Sequence, residues 1–202
     1  ATHAGLTVGE DGATHQAIED ISLMRSIPNM TVIVPCDAAE TRRAVEFAVE
    51  YKGPVYIRLG RAAVEDVFGE DYEFQHGKAV ELANGLDVTI IATGVMVAPA
   101  RKAAEELIKS NLSARVLNMH TIKPIDREAI IKAAAETGAI VTCEEHSIIG
   151  GLGSAVAEVL VENYPVPMER VGILDVFGES GTPDELLRKY RLTVADIVQA
   201  AK

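Results

Sequence analysis

Short runs of aliphatic and β-branched residues alternate along the chain with longer segments in which apolar positions recur every three or four residues. The short runs predict strands at Thr31–Val34, Val55–Leu59, Val88–Ala92, Arg115–Asn118, Ala139–Cys143 and Arg170–Leu174. The longer segments predict helices at Asp37–Tyr51, Val97–Asn111, Asp126–Glu136 and Ser154–Asn163, with Asp37 and Asp126 as N-caps. Strands that alternate with helices indicate an α/β fold in which helices cover a mostly parallel sheet.

The same pattern divides the chain into two α/β pieces. Residues 1–64 hold only two of the predicted strands, and an open α/β sheet normally has about four to six. We therefore expect this first domain to be incomplete. Residues 65–75 are acidic and irregular and are interpreted as a linker, and residues 76–202 are expected to form a complete domain. In that domain the Asn84-Gly85 turn predicts a hairpin between Gly77–Leu82 and Val88–Ala92.

Composition narrows the classes of protein and partner. The chain has 202 residues, of which 48% are hydrophobic, enough for a sizeable core. Its net charge of −11 argues against nucleic acid or an anionic membrane surface as the main partner, because both favour a basic patch. Neither a membrane span nor a signal-peptide pattern is recognisable, so a cytoplasmic protein is expected. Cys36 and Cys143 are isolated and are expected to be buried, reduced thiols.

The segment Gly9–Gln16, called the polar loop below, concentrates two glycines, two carboxylates, a hydroxyl group and an imidazole. Asp11 and His15 can exchange hydrogen bonds and a proton with a hydroxylated or carbonyl substrate near neutral pH. We interpret the polar loop as half of an active site. The alternative is a capped turn, in which Asp11 closes an Asx-turn and Thr14 caps a helix that begins near His15. Spacing alone does not decide between the two.

A second glycine-rich segment, Gly150–Ser154, lies between a predicted strand and a predicted helix. Such a turn can bind phosphate at a helix N-terminus. The Gly-x-Gly-x-x-Gly spacing is missing, however, and Glu144–His146 would place carboxylates near the phosphate. We therefore expect close backbone packing at Gly150–Ser154, with the Glu and His residues at a domain or subunit contact.

The polar loop and its flanks resemble the pyrimidine-binding domain of transketolases. The residues that carry this resemblance are Thr2-His3, Val8–Gln16 and Met24–Asn29. The rest of the chain is similar to the transketolase C-terminal domain, at Ala92–Gly94, His120–Asp126, Glu144–His146, Gly150–Ser154 and Phe177–Gly181. Nearly the whole chain is covered, and it is most similar in style to the transketolases that some prokaryotes split into N-terminal and C-terminal subunits.

The resemblance implies an activity and a set of residue roles. A transketolase moves a two-carbon ketol unit between phosphorylated sugars and uses thiamine diphosphate and a divalent metal. By resemblance, His3 and Arg61 bind the phosphate end of the sugar. Asp11 binds the hydroxyl group beside the carbonyl, and His15 lies at the reaction centre. Arg58, at the same predicted strand end, is the competing candidate for the phosphate-binding arginine.

Two parts of the family's active site are not found in this sequence: the metal-binding Gly-Asp-Gly motif and the upstream glutamate that protonates the aminopyrimidine ring. The resemblance therefore implies a fragment, or a subunit with further residues upstream, that binds neither thiamine diphosphate nor metal and is inactive by itself. The implied partners are an N-terminal diphosphate-binding domain or subunit, a second copy in a homodimer, and sugar phosphates. Neither nucleic acid nor a membrane is expected as a partner.

Two alternative functions stay open at this point. Deoxyxylulose phosphate synthase shares the pattern of Asp11–Gln16 and the Lys-Pro-x-Asp segment Lys123–Asp126, although the tail Gly178–Leu187 favours transketolase. The other alternative is a non-catalytic module retained for dimerisation or regulation. The presence of Asp11 and His15 argues against such a module.

Overall fold

The computed structural model describes the chain from Ala1 to Lys202. Its helices are α1 (Asp20–Ser26), α2 (Ala38–Glu50), α3 (Val97–Ile108), α4 (Arg127–Thr137), α5 (Leu152–Asn163), α6 (Pro183–Lys189) and α7 (Val194–Ala200). Its strands are β1 (Thr31–Ile33), β2 (Val55–Ile57), β3 (Val80–Ala83), β4 (Val88–Ala92), β5 (Ala114–Asn118), β6 (Thr121–Lys123), β7 (Ile140–Ser147) and β8 (Met168–Ile173). Two short 3-10 helices lie at Leu6–Asp11 and Gly94–Met96. The predicted α/β fold is confirmed.

The larger sheet has five strands in the order β3-β5-β4-β7-β8. The strands β5, β4, β7 and β8 run parallel, and the edge strand β3 is antiparallel to β5. Every residue of β4 is buried, as expected for the central strand of a parallel sheet covered on both faces. Ile90 packs with residues of α3 and α7, whereas its neighbour Ile91 packs with residues of α4 and α5. The mostly parallel sheet predicted for the second half is therefore confirmed.

The hairpin predicted between Gly77–Leu82 and Val88–Ala92 is wrong. The chain does form an antiparallel strand in the first of these segments, β3, but this strand pairs with β5. Both edges of β4 bond to parallel partners, β5 and β7, so no edge is left for β3. The Asn84-Gly85 pair indicates a local chain reversal and does not determine which strand becomes the partner.

The smaller sheet has the order β2-β1-β6 and combines both halves of the chain. β1 and β2 pair in parallel, and β6 from the second half pairs antiparallel with the other edge of β1. The free side of β2 is bordered by the start of the chain, since Ala1 bonds through its amine to the Ile57 carbonyl (2.6 Å) and accepts the Leu59 N–H (2.9 Å). β6 was not predicted, because three residues give no usable periodicity.

The capped-turn alternative for the polar loop places the start of a helix near His15, but α1 begins at Asp20. Thr14 does not cap it, and its hydroxyl lies 2.9 Å from His15 Nδ1. The seven-residue helices α6 and α7 were not predicted, since two turns carry little apolar periodicity. Cys36 and Cys143 are buried and free, as expected. None of the helices has the length and apolar character needed to cross a bilayer.

A buried histidine lies beside the junction of the two sheets. His120 is fully buried, its Nδ1 lies 2.8 Å from the Thr121 hydroxyl, and its ring centroid lies 4.5 Å from that of Phe74. Burial, assisted by the neighbouring charge of His76, lowers the pKa of His120 to about 4. The folded chain therefore binds a proton at His120 less readily than the unfolded chain, in which a histidine has a pKa of about 6.5. The stability that depends on neutral His120 is fully present above about pH 6.5 and is lost as the pH falls toward 4.

We predict that the stability difference between the parent chain and His120→Gln shrinks by about 3 kcal/mol between pH 7 and pH 4. The glutamine variant has no imidazole at this position to protonate, so only the parent chain loses this stability in acid. Urea unfolding followed by circular dichroism at stepped pH measures the difference. A difference that does not change with pH would contradict the buried, neutral state of His120.

Candidate functional site

The polar loop is a double turn. Gly9 and Gly12 have φ values of +81° and +77°, a region that glycine adopts without steric cost. The Gly12 N–H donates to the Gly9 carbonyl at 3.1 Å, and the His15 N–H donates to the Gly12 carbonyl at 3.0 Å. Because the chain turns twice here, the side chains of Asp11 and His15 are exposed to solvent.

Gln16 holds the polar loop from inside. Its buried side-chain amide donates to the carbonyls of Leu6 (3.1 Å), Gly9 (3.3 Å) and Glu179 (2.9 Å). The first two bonds fix the turn, and the third ties it to the segment that follows β8. The shape of the polar loop therefore depends on the second half of the chain. Sequence reasoning missed this role of Gln16, because its partner Glu179 lies 163 residues away.

Two of the predicted site residues are in direct contact. Arg61 Nη1 donates to Asp11 Oδ2 at 2.8 Å and to the Val8 carbonyl at 3.0 Å. The side chains of Arg61 and Asp11 are 42% and 44% exposed. An ion pair this exposed is worth at most about 1 kcal/mol, so an incoming anion can compete with Asp11 for Arg61. The structure thus brings the candidate phosphate-binding group and the candidate hydroxyl-binding group together at the surface.

The two predicted histidines lie on adjoining segments. His3 is followed by Ala4, whose N–H donates to the Leu59 carbonyl at 3.1 Å. This bond places His3 beside the end of β2, the same chain segment that continues into Arg61. His15 is on the polar loop itself. Both imidazoles are exposed, and neither forms a hydrogen bond to Arg61.

Arg58, the competing candidate, is buried and bonded to groups of the protein. Its Nε donates to the Asp20 carboxylate at 2.8 Å, and its Nη2 donates to the carbonyls of Ala17 (3.1 Å) and Glu145 (3.0 Å). Its side chain is only 5% exposed. Moving this guanidinium to a phosphate would leave a buried carboxylate unpaired, which is costly. Arg61 is therefore the arginine that is available to a ligand.

In the glycine-rich segment Gly150–Ser154, a carboxylate of the protein itself takes two of the backbone donors at the start of α5. Glu144 is buried, and its carboxylate accepts the N–H groups of Leu152 (2.7 Å) and Gly153 (2.8 Å) at the start of α5. Burial raises the pKa of Glu144 to about 7, against the opposing effect of these two amides. A Cβ on Gly151 would collide with Glu144 Oε2, so the expected close packing is confirmed.

The residues of this chain fit a sugar better than they fit a metal diphosphate. The chain has no group of three or more His, Cys, Asp or Glu residues that could hold a metal ion. The glycine-flanked N-terminus of α5 is already filled by Glu144. The polar loop, in contrast, presents a carboxylate and an imidazole to solvent beside the guanidinium of Arg61, and these groups suit hydroxyl and phosphate groups.

Comparisons with known proteins identify the family of both halves of the chain. The family model of the transketolase pyrimidine binding domain matches residues 1–66, and that of the transketolase C-terminal domain matches residues 77–197. The 6-deoxy-6-sulfo-D-fructose transketolase subunit of Clostridium sp. is 52% identical over 98% of this chain and 61% of its own length. An apulose-4-phosphate transketolase subunit of Phocaeicola vulgatus is 48% identical over 98% of this chain and 63% of its own length. The chain thus spans about three-fifths of these relatives.

A solved structure described as a split gene transketolase, inactive beta4 tetramer, superposes with a TM-score of 0.94. It is 57% identical and covers 100% of this chain, which spans 64% of that protein. The 1-deoxy-D-xylulose-5-phosphate synthase of Trichormus variabilis is 42% identical over 95% of this chain, but only over 31% of its own length. The chain belongs to the transketolase family.

The two arginines should differ sharply in their effect on stability. We predict that Arg58→Met destabilises the fold by about 3–5 kcal/mol, because it leaves the buried Asp20 carboxylate without its charged partner and with only the Tyr56 hydroxyl as a side-chain donor. The matched variant Arg61→Met should cost less than about 1 kcal/mol, because its ion pair is exposed. Urea unfolding at pH 7 measures both. Equal losses in the two variants would contradict the assignment of Arg58 as the buried anchor and Arg61 as the free arginine.

Proposed function

We propose that this member of the transketolase family supplies the substrate-binding half of an active site that moves a two-carbon ketol unit between phosphorylated sugars. The observation that carries the proposal is the exposed contact between Arg61 and Asp11. Asp11 lies on the polar loop, which the buried side chain of Gln16 holds in place. Thiamine diphosphate and its divalent metal are assigned to an N-terminal diphosphate-binding partner subunit. Relatives named as transketolase subunits, and the N-terminus of α5 that Glu144 already fills, support that assignment.

Each exposed group has a role in this proposal. Arg61 binds the phosphate end of the sugar, since a guanidinium matches the geometry of phosphate oxygens, and His3 adds a second donor on the adjoining segment. Asp11 accepts a hydrogen bond from the hydroxyl group beside the carbonyl and so selects the configuration of the sugar. His15 lies at the reaction centre and exchanges a proton or hydrogen bond with the ketose. The cofactor, when bound, supplies the carbon nucleophile.

The ion pair between Arg61 and Asp11 is the contact that these two groups would make in the substrate-free site. Charge-assisted hydrogen bonds to a ligand are worth about 1.5–3 kcal/mol each, more than an exposed ion pair provides. A sugar phosphate can therefore take Arg61 from Asp11. The released carboxylate is then free to accept the hydrogen bond of the sugar hydroxyl, so the two ends of the substrate are bound together.

The proposal includes an assembly and a location. Residues 1–64 are the end of a pyrimidine-binding domain, residues 65–75 a linker and residues 76–202 a C-terminal domain, and the matched ranges 1–66 and 77–197 support these bounds. The chain forms a homodimer in the complete enzyme, which works in the cytoplasm. The two buried free thiols suit such a reducing compartment.

Two alternative functions compete with this proposal. One is a deoxyxylulose phosphate synthase, and the other is a non-catalytic module for dimerisation or regulation. The greater identity to transketolase subunits, and the greater share of their length that is matched, favour the transketolase. Reconstitution with the partner subunit decides between the three. Ketol transfer supports the proposal, synthase activity selects the synthase, and an assembled complex without turnover selects the module.

In the reconstituted enzyme, we predict that Arg61→Ala raises the KM for phosphorylated sugars about tenfold to a hundredfold, because a charge-assisted hydrogen bond is lost. The KM for the matching unphosphorylated sugars should change little. His15→Ala should lower kcat more than it raises KM. Steady-state kinetics on both sugar sets measure these effects.

A matched control is Arg127→Ala, which removes an exposed arginine paired with Glu162 at 2.8 Å, outside the polar loop. This control should leave both constants unchanged. If Arg61→Ala weakened phosphorylated and unphosphorylated sugars equally, the phosphate-binding role of Arg61 would be wrong.

A further inference from the structure

A buried carboxylate of the second half of the chain contacts the backbone just before the polar loop, and we propose that this residue, Glu145 on β7, is a positioning residue of the substrate-binding site. This inference rests on the proposed function, in which the C-terminal half otherwise has no part in binding the sugar. Glu145 touches neither the cofactor nor the sugar in this proposal. It acts through the backbone that carries Asp11.

The carboxylate of Glu145 fixes the entry to the polar loop. Its side chain is almost fully buried, and Oε1 accepts the backbone N–H of Thr7 at 2.5 Å. Gly5 packs directly on the same carboxylate, because a Cβ at Gly5 would collide with Glu145 Oε2. Gly5 has a φ of +88°, which favours glycine for a second reason. The backbone before the loop is thus fitted onto this one side chain.

Arg58 fixes the exit of the same loop and ties it to the backbone of Glu145. Arg58 Nη2 donates both to the Glu145 carbonyl (3.0 Å) and to the Ala17 carbonyl (3.1 Å). Ala17 also accepts the Gly5 N–H at 2.8 Å, which closes the base of the loop. Glu145 therefore contacts the entry of the segment that carries Asp11 and His15 directly, and its exit only through Arg58.

This geometry links Glu145 to the ligand-binding groups by a short path. Thr7 precedes Val8, whose carbonyl accepts a bond from Arg61, and the same 3-10 helix ends at Asp11. A purely stabilising role explains the position less well. Burial raises the pKa of Glu145, and its Oε2 has no hydrogen-bond partner in the protein, so an ionised carboxylate here costs stability. The contribution of this carboxylate that we identify is its hydrogen bond to the Thr7 N–H.

Two variants separate the length of the side chain from its charge. Glu145→Gln keeps the reach and an acceptor for the Thr7 N–H, whereas Glu145→Asp keeps the charge and withdraws the acceptor by one methylene group. The matched control is Glu40→Asp, because Glu40 is also buried and accepts a backbone N–H, that of Cys36 at 2.8 Å. Asp11→Ala serves as the reference for complete loss of sugar selectivity.

The first measurement is amide hydrogen exchange of the full chain. Glu145→Asp should speed exchange at Thr7 by about tenfold or more, while Glu145→Gln and Glu40→Asp leave it near the parent rate. The second measurement uses the complex with the partner subunit. It compares kcat/KM for two sugars of opposite configuration beside the carbonyl, and this ratio does not depend on the fraction of enzyme that is folded.

Glu145→Asp should lower this selectivity ratio about tenfold, because small displacements of a binding group have large kinetic effects. Glu145→Gln and Glu40→Asp should keep it. An unchanged ratio in Glu145→Asp, beside a lowered ratio in Asp11→Ala, would overturn the positioning role alone. An unchanged ratio in Asp11→Ala would overturn the proposed role of Asp11. Unchanged exchange at Thr7 in Glu145→Asp would overturn the hold on the loop, whatever the kinetics show.

Discussion

The buried guanidinium of Arg58 is the constraint on which the rest of the structure depends. It belongs to the first half of the chain, yet it bonds to Asp20, to the Ala17 carbonyl and to the Glu145 carbonyl on the larger sheet of the second half. A buried charge must keep its partners. The start of α1, the base of the polar loop and β7 are therefore held in one arrangement, and the loop has its shape only when the two halves are docked.

The same strand end shows how burial decides the use of a charged side chain. Arg58 and Arg61 are three residues apart and have the same chemistry, but one is enclosed by its partners and the other is exposed beside Asp11. The enclosed arginine can contribute only to the fold. The exposed one is held weakly enough to exchange its partner for a ligand, which is the property that a phosphate-binding group needs.

Local signals made much of the fold predictable. Helices α2 and α4 were predicted from apolar spacing and from Asp37 and Asp126, which do accept the N–H groups of Glu40 and Ala129 as N-caps. The pairing of β3 with β5 and the short strand β6 were not predictable, because both depend on contacts distant in sequence. The site divides in the same way. Its exposed residues were identified by resemblance and their roles stay predictions, whereas the supporting roles of Gln16 and Glu145 depend on partners more than 130 residues away.

Calorimetry with thiamine diphosphate and magnesium tests most directly whether this chain is the substrate-binding half of a shared active site. The titration is done on the chain alone, on the diphosphate-binding subunit alone and on the two together. We expect no measurable heat of binding from the chain alone and saturable binding from the mixture that contains both. Micromolar binding of the cofactor by this chain alone would contradict the division of the active site between the two subunits.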